Sequence, residues 1–314
     1  MEDQPQTNPQ PAVPTARKHR MQLVAFPENR GEDTTKDSRL VNGYIERSQR
    51  GQFYVYKRPG VSVYASYSGA GMGMYNWNGD IYSIFGGTLR RNSTTVGSVD
   101  TTGGVYAFSS CLGTTPKLFL MNGVKAYVYD PVGGLVTVTD VDYPAALVRG
   151  AVYLDGYTSV MDPSATIYSS GLNDPTAWDP LDFLKAQIEP DRGVALAKQL
   201  VYIIALKEWT CEVFYDAANG EGSPFGPVQG SKVNVGCRAA GSVRDLDGML
   251  IWVSQTRNSS VAVHAMDGMR ASPISTPAVE RLLQRANFAT TWAWSARIGG
   301  HRFYAVTLKN SNLT

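Results

Sequence analysis

Charge is scarce in this chain. Of its 314 residues only 18 % are Asp, Glu, Lys or Arg, against roughly 25 % in an average globular domain. The 29 basic residues nearly balance the 27 acidic ones, leaving a formal net charge of +2. A protein whose main task is to grip nucleic acid concentrates basic residues in a stripe, and this balance argues against that role while leaving DNA free to pass nearby. Cysteine is scarce too. Cys111, Cys211 and Cys237 are odd in number, widely spaced and without a CxxC pair, a pattern that suggests neither a disulfide framework nor a zinc site and predicts buried free thiols. Histidine occurs only at His19, His264 and His301, too scattered for a metal centre or a nucleophile–base pair. No segment approaches the ~20 apolar residues that cross a bilayer, and no amino-terminal apolar run resembles a signal peptide. The expectation is a chain made and assembled in a reducing cytoplasm, with no membrane insertion. The sequence also lacks G-x-S-x-G, a P-loop, H-E-x-x-H, the sialidase S-x-D-x-G-x-T-W box and a repeated Trp-Asp signature.

What is present is a β composition: 43 % hydrophobic residues, 31 glycines and 17 tyrosines. Glycine weakens helices and serves tight turns, while tyrosine packs well on a half-buried sheet. The first 20 residues are rich in Pro and Gln and end in Arg17-Lys18-His19-Arg20, a composition too poor in apolar groups to order itself. Residues 1–38 are read as a flexible arm and lead-in, with a short strand at Met21–Phe26 and a charged loop at Glu28–Ser38. Residues 39–314 are read as one β-propeller of about six blades.

From Leu40 onward, short apolar segments alternate with turn signals. The strongest strands are Ile81–Phe85, Lys117–Met121, Ala151–Leu154, Leu200–Ala205, Met249–Val253 and Arg302–Val306. Their starts recur at intervals in the range of propeller repeats. Partner strands follow most of them, at Lys125–Tyr129, Trp209–Tyr215 and Ser260–His264. Asn122-Gly123 suits a type I′ hairpin. Each meander has faces that need neighbours, so the units should stack around a shared centre. One helix is predicted, Pro277–Ala286, between the fifth and sixth units. Thr276 would cap it, Pro277 suits its first turn, Glu280 complements its dipole, and Val279, Leu282, Leu283 and Ala286 form one apolar face. Asn173–Pro180, anchored by Trp178, and Gly220–Gly230 read as long loops. The last strand ends at Leu308 with a turn at Lys309–Asn312, so the final blade looks incomplete. Its closure would require chain beyond Thr314 or an amino-terminal strand such as Phe53–Tyr56.

Three patterns invite a chemical reading. Gly69-Ala70-Gly71-Met72-Gly73 could cradle phosphate, but a strand and turn follow where a helix start is needed, which favours a close-packed connection. Asp245-Leu246-Asp247-Gly248 opens like a calcium loop, but the following Met249-Leu250-Ile251 supplies no ligand, which favours a β-turn. Asp80, Asp130, Asp155, Asp216 and Asp267 could include the carboxylate pair of a sugar-acting propeller, yet each stands beside Gly, Asn or Pro at a strand end, where turn chemistry accounts for it. The doublets Gly86-Gly87, Gly103-Gly104, Gly133-Gly134 and Gly299-Gly300 lack the aromatic offsets of kelch repeats. The residues thus assign no catalytic, cofactor or metal site and predict a protein that is not an enzyme. The alternative is a glycosidase or lectin-like propeller.

Two stretches carry a family resemblance. Arg39-Leu40-Val41-Asn42-Gly43-Tyr44-Ile45-Glu46, followed by Lys57-Arg58-Pro59-Gly60, forms an N-x-Y-x-E … R-P-G opening, and Ala271–Leu283 contains the predicted helix. With the order of strands and the segment Glu212-Val213-Phe214-Tyr215 between them, the chain resembles the tail-hub or nozzle proteins of short-tailed bacteriophages, known as packaged-DNA stabilisation proteins. The resemblance implies a six-bladed propeller forming a homo-hexameric tube in the virion tail, assembled in the host cytoplasm. Its implied partners are the portal and adaptor rings, tail fibre, tailspike or needle proteins, and double-stranded DNA in the lumen. The tube would retain packaged DNA and conduct it during ejection. No partner-binding residue is assigned.

Overall fold

The computed structural model describes residues 42–258 and 261–308. The expected arm over 1–38, with its Met21–Phe26 strand, His19 and the Arg17–Arg20 cluster, lies outside the described residues, as does the turn at 309–312. Two compact units divide between Ser62 and Val63.

The first unit contains one antiparallel hairpin, β1 (Gly43–Arg47) and β2 (Phe53–Lys57), paired from Gly43↔Lys57 to Arg47↔Phe53. Phe53–Tyr56, named with chain beyond Thr314 as a candidate closing strand, is a strand, and its partner among the described residues is β1.

The second unit is the propeller. Its first sheet is β3 (Gly71–Trp77), β4 (Asp80–Phe85), β5 (Thr88–Arg91) and β6 (Thr94–Ser98). The second is β7 (Ala107–Cys111), β8 (Lys117–Met121), β9 (Ala126–Asp130) and β10 (Gly134–Thr137). The third is β11 (Val152–Leu154), β12 (Tyr157–Met161), β13 (Thr166–Gly171) and β14 (Asp174–Lys185). The fourth is β15 (Gly193–Gln199), β16 (Tyr202–Lys207), β17 (Cys211–Asp216) and β18 (Phe225–Pro227). In the fifth, β19 (Gly236–Cys237) and β20 (Arg244–Leu246) both pair with β21 (Met249–Gln255), which continues to β22 (Ala262–Asp267) and β23 (Arg270–Pro273). Among the described residues the sixth sheet has two strands, β24 (Trp292–Ile298) and β25 (His301–Thr307).

Strand order follows chain order within each of the first four sheets, as in propeller blades. First strands touch in sequence, β3 to β7, β7 to β11 and β11 to β15, while β15 meets β21 and β20 meets β24. The second strands read as nearly continuous apolar runs because sheets cover both their faces. Phe119, Ile204 and Trp252 are all fully buried. Consecutive sheets share apolar layers: Trp77, Tyr82 and Ile84 meet Leu118, Leu120 and Tyr129 between the first and second, and Val213 meets Leu250 and Trp252 between the fourth and fifth. Each such side chain contributes about 1.5–3 kcal/mol by leaving water.

The hairpins explain several shifts from the expected elements. Asp155-Gly156 turns tightly with φ of 47° and 95°, making Val152–Leu154 the first strand of its blade, so Tyr157–Met161 is the equivalent of the other apolar runs. Leu200 has φ 51° and begins a turn with Val201, so the expected Leu200–Ala205 strand starts at Tyr202. At Asn122-Gly123 only the glycine has positive φ. The turn is not type I′, because the Asn122 Oδ1 accepts the Val124 and Lys125 N–H groups at 3.0 and 2.8 Å and Asn122 becomes the first corner of a turn centred on Gly123 and Val124.

The two long loops are partly strand. Asn173–Pro180 lies almost entirely within β14, whose pairing with β13 shifts register twice. Trp178 is nevertheless the anchor: it is buried, its Nε1 donates to the Pro175 carbonyl at 3.1 Å, and Tyr143 meets it edge-on. Within Gly220–Gly230, Phe225–Pro227 forms the outer strand of its blade, with Phe225 buried beside Tyr157.

The helix, α1 (Pro277–Gln284), ends two residues earlier than expected. Thr276 occupies the N-cap position but its side chain makes no cap hydrogen bond. Ser275 Oγ instead donates to Glu280 at 2.9 Å and accepts the Val263 N–H at 3.0 Å. Only part of the expected apolar face packs: Leu283 is buried with Ile251 and Val253, and Ala286 borders that cluster. Val279 and Leu282 remain 39 % and 44 % exposed.

Candidate functional site

The five aspartates lie in five different blades, each at a turn or strand end. Asp80 accepts Asn92 Nδ2 and Arg91 Nε, both at 2.7 Å, and these bonds, Asn92 foremost, hold its carboxyl below the usual range. Asp130 accepts the Val132 and Gly133 N–H groups, which lower its pKa in the same way. Asp216 accepts the Ala218 N–H at 2.8 Å, and Asp267 pairs with Arg270 across the β22–β23 turn. Asp155 and Asp216 do share a surface: with Val201, Tyr202, Tyr215, Pro227, Val228 and Gln229 they line an open cavity of about 450 Å³ between the third and fourth blades.

Asp247-Gly248 is the tip of the β20–β21 hairpin, with φ of 54° and 81°. Asp247 takes a hydrogen bond from Arg302 Nε at 2.7 Å. The turn reading of Asp245–Gly248 thus describes its geometry, and among the described residues no group of three His, Cys, Asp or Glu side chains could hold a metal ion. Gly69 serves close packing: a Cβ there would lie 2.5 Å from the Gly86 Cα, and β3 follows rather than a helix.

His264 Nδ1 is hydrogen-bonded to Ser254 Oγ at 2.6 Å, and His301 lies in β25. All three cysteines are free and buried. Burial pushes the Cys237 thiol up to about 12, and burial with the neighbouring Cys237 also raises Cys211. Cys111 Sγ meets Thr158 Oγ1 at 3.2 Å. Such thiols are inert packing groups.

Two arrangements were not legible as sites. The first is an ion cluster around Lys207, which is fully buried at the end of β16. Its Nζ lies 2.8 Å from Asp191 Oδ1 and 2.5 Å from Glu212 Oε1, and donates to the Glu189 carbonyl at 2.6 Å. Asp191 also accepts the Trp209 and Thr210 N–H groups. Burial pushes its pKa up, but the bonds from Lys207, Trp209 and Thr210 prevail and hold it below the usual value. Glu189 itself binds Lys232 and Arg257. The cluster therefore ties the third-to-fourth blade crossover to the fourth and fifth blades. The sequence signal was Glu212 within an otherwise apolar strand.

The second is the β1–β2 hairpin. Arg58 Nε donates to Asn42 Oδ1 at 2.9 Å, and the Arg58 N–H to the Asn42 carbonyl at 2.9 Å. Tyr44 stacks on Tyr56 with ring centroids 5.7 Å apart. Phe53, Tyr54, Val55 and Tyr56 are 43–54 % exposed in succession, so both faces of β2 reach solvent. A lone two-stranded hairpin is marginal in water, and this one presents four consecutive large apolar or aromatic side chains to solvent.

Residues 37–314 match a family model described as bacteriophage P22 Gp10, β-propeller. No curated protein matches the chain. Among solved structures, the extracellular domain of a hybrid two-component system from B. thetaiotaomicron is similar at TM-score 0.45 and 10 % identity, over 84 % of this chain and 37 % of that one. BBS1N in complex with ARL6DN gives TM-score 0.46 and 10 % identity, over 84 % and 83 %. Kluyveromyces lactis Hsv2 gives 0.39 and 10 %, over 85 % and 82 %. This chain thus spans little more than a third of the first of them. Scores and identities this low transfer no property of those proteins.

Proposed function

The chain belongs to the bacteriophage P22 Gp10 β-propeller family, a phage tail-associated structural family, and from that premise we propose that it builds the nozzle of a short phage tail. Copies of the chain form a homo-hexameric tube below the portal and adaptor rings, retain packaged DNA, conduct it at ejection, and carry fibre, tailspike or needle proteins distally.

The observation that carries this reading is the exposed aromatic hairpin. A face made of Phe53, Tyr54, Val55 and Tyr56 suits burial against another chain, since aromatic residues are enriched at interface cores, and its motif residues lie within the family match. Sparse charge supports the conduit role. A wall past which DNA slides needs few strong phosphate contacts, because each one adds affinity and slows release. No active site is required, and the carboxylates of Asp80, Asp130 and Asp216 accept hydrogen bonds from groups at nearby turns.

The test is assembly. Purified chain mixed with its connector rings should add a six-fold ring in negative-stain images, and replacing Tyr54 and Tyr56 with Ser should abolish it. Particles lacking the chain should release their DNA. Rings that form equally well without those tyrosines would refute the hairpin's role.

One observation favours a second reading. The cavity holding Asp155, Asp216, Tyr202 and Tyr215 offers acceptors and aromatic rings of the kind that bind sugars, so the propeller would act on or bind carbohydrate. Binding on a glycan array that is lost in D155N and D216N would favour it; hydrolysis would make the protein an enzyme.

A further inference from the structure

Buried cations in this protein are neutralised where carboxylates are present, as at Lys207. Two arginines depart from that pattern. Arg149 precedes β11 in the third blade, and its backbone is fixed against the fourth: Arg149 bridges Ala195 in parallel and its carbonyl accepts the Leu196 N–H at 3.0 Å. Its side chain continues to the fifth blade. A Cβ placed on Gly241, in the turn between β19 and β20, would be 3.1 Å from Arg149 Nη1. A side chain that runs from the third blade to the fifth while passing the fourth must run on the inner side of the ring, toward the propeller's centre.

Arg244, on β20, occupies the same region. Its Nη1 donates to the Val243 carbonyl at 2.6 Å, and the neighbouring Tyr304 hydroxyl donates to the Ser242 carbonyl at 2.7 Å. Among the described residues no carboxylate forms an ion pair with either arginine. Both remain half-buried, so water and ions reach them. Burial, followed by the Arg244 charge, pushes the Arg149 pKa down to about 10, and burial also lowers that of Arg244. At neutral pH both stay charged. Two like charges in one partly buried region without a carboxylate partner are costly, and planar guanidinium forks match the oxygens of a tetrahedral anion.

We propose that Arg149 and Arg244 form a binding site for a free phosphate-sized oxyanion at the centre of the propeller, where the ion links the third and fifth blades. The site is independent of the tail assignment. Gly241 itself is required by the backbone, since a Cβ there would collide with the Thr291 carbonyl, and its bare Cα leaves room for Arg149 Nη1.

The experiment uses the full chain in phosphate-free buffer, titrated with inorganic phosphate by calorimetry and by thermal unfolding. The expected result is one phosphate per chain and a midpoint that climbs with phosphate concentration. R149Q and R244Q should each weaken binding at least tenfold, while their midpoints without phosphate equal or exceed the parent's, because each removes an uncompensated charge. R297Q, at an exposed arginine, should bind as the parent does. Absence of phosphate binding by the parent chain overturns the proposal whatever the variants do, and so does undiminished binding in the R149Q/R244Q double variant. A short DNA duplex, titrated at equal phosphate concentration, should not compete. Competition that disappears in the double variant would assign the arginines to nucleic acid and overturn the free-ion site.

Discussion

Arg58 Nε donates to Asn42 Oδ1 across the open end of the β1–β2 hairpin at 2.9 Å, tying the asparagine of one motif to the arginine of the next. An N-x-Y-x-E … R-P-G pattern, known only as a family signature, thereby acquires a physical role. Asn42, at φ 57°, starts the hairpin, and Arg58 locks its end.

A single solvent-accessible hydrogen bond contributes about 0.5–1.5 kcal/mol, yet in a two-stranded hairpin that is a large share of what holds it. Asn42→Ala should raise amide exchange between Tyr44 and Tyr56 several-fold, read by mass spectrometry, while exchange in β8, β16 and β21 stays unchanged. Equal acceleration in those strands would show that the bond supports the propeller instead.

Lys207 gives a larger effect. Lys207→Met leaves Asp191 and Glu212 buried without their cation, and breaking a buried pair from one side costs about 3–5 kcal/mol. Urea unfolding should register that loss. A change below 1 kcal/mol would mean that water reaches the cluster.

The same cluster sets a pH dependence. Asp191 has a folded pKa held below its unfolded value of about 3.9, because the bonds from Lys207, Trp209 and Thr210 outweigh the opposing effect of burial. The unfolded chain therefore binds the proton more readily. The stabilisation is fully present above the unfolded pKa and is lost as pH falls through the folded one. In urea titrations from pH 7 to 3, Asp191→Asn should flatten the acid limb of stability relative to the parent. An unchanged acid limb would contradict the assignment.

Much of the fold was legible because propeller blades repeat a local signal. Apolar second strands such as Lys117–Met121 and Met249–Val253 announce themselves by continuous hydrophobicity, and Asp247-Gly248 by turn chemistry. What escaped depends on distant partners. Asn173–Pro180 carries two prolines and reads as loop, yet β13 recruits it into β14 through bulges. Thr276 has the residue type of a cap, but Ser275 is the one that reaches Glu280. Val279 and Leu282 share a helical stripe with Leu283, and only tertiary packing decides that Leu283 alone is fully covered. Likewise Glu212 was visible as an anomaly in a strand, while its pairing with Lys207 and Asp191 needed coordinates.

The thiols supply a probe of global integrity. Cys111, Cys211 and Cys237 are buried with pKa values raised chiefly by burial, so a thiol reagent at pH 8 should label the folded chain slowly and all three sites at once on unfolding. Rapid labelling of Cys211 in native protein would contradict its burial with Cys237 and the contact of its Sγ with the Val235 carbonyl.

Cryo-electron microscopy of intact virions decides whether this chain is a wall component of a short phage tail. The expected density is a six-fold ring of this propeller immediately below the connector, with the Phe53–Tyr56 strand covered by a neighbouring chain and DNA on the tube axis. Virions whose tail density contains no copy of this propeller would contradict it.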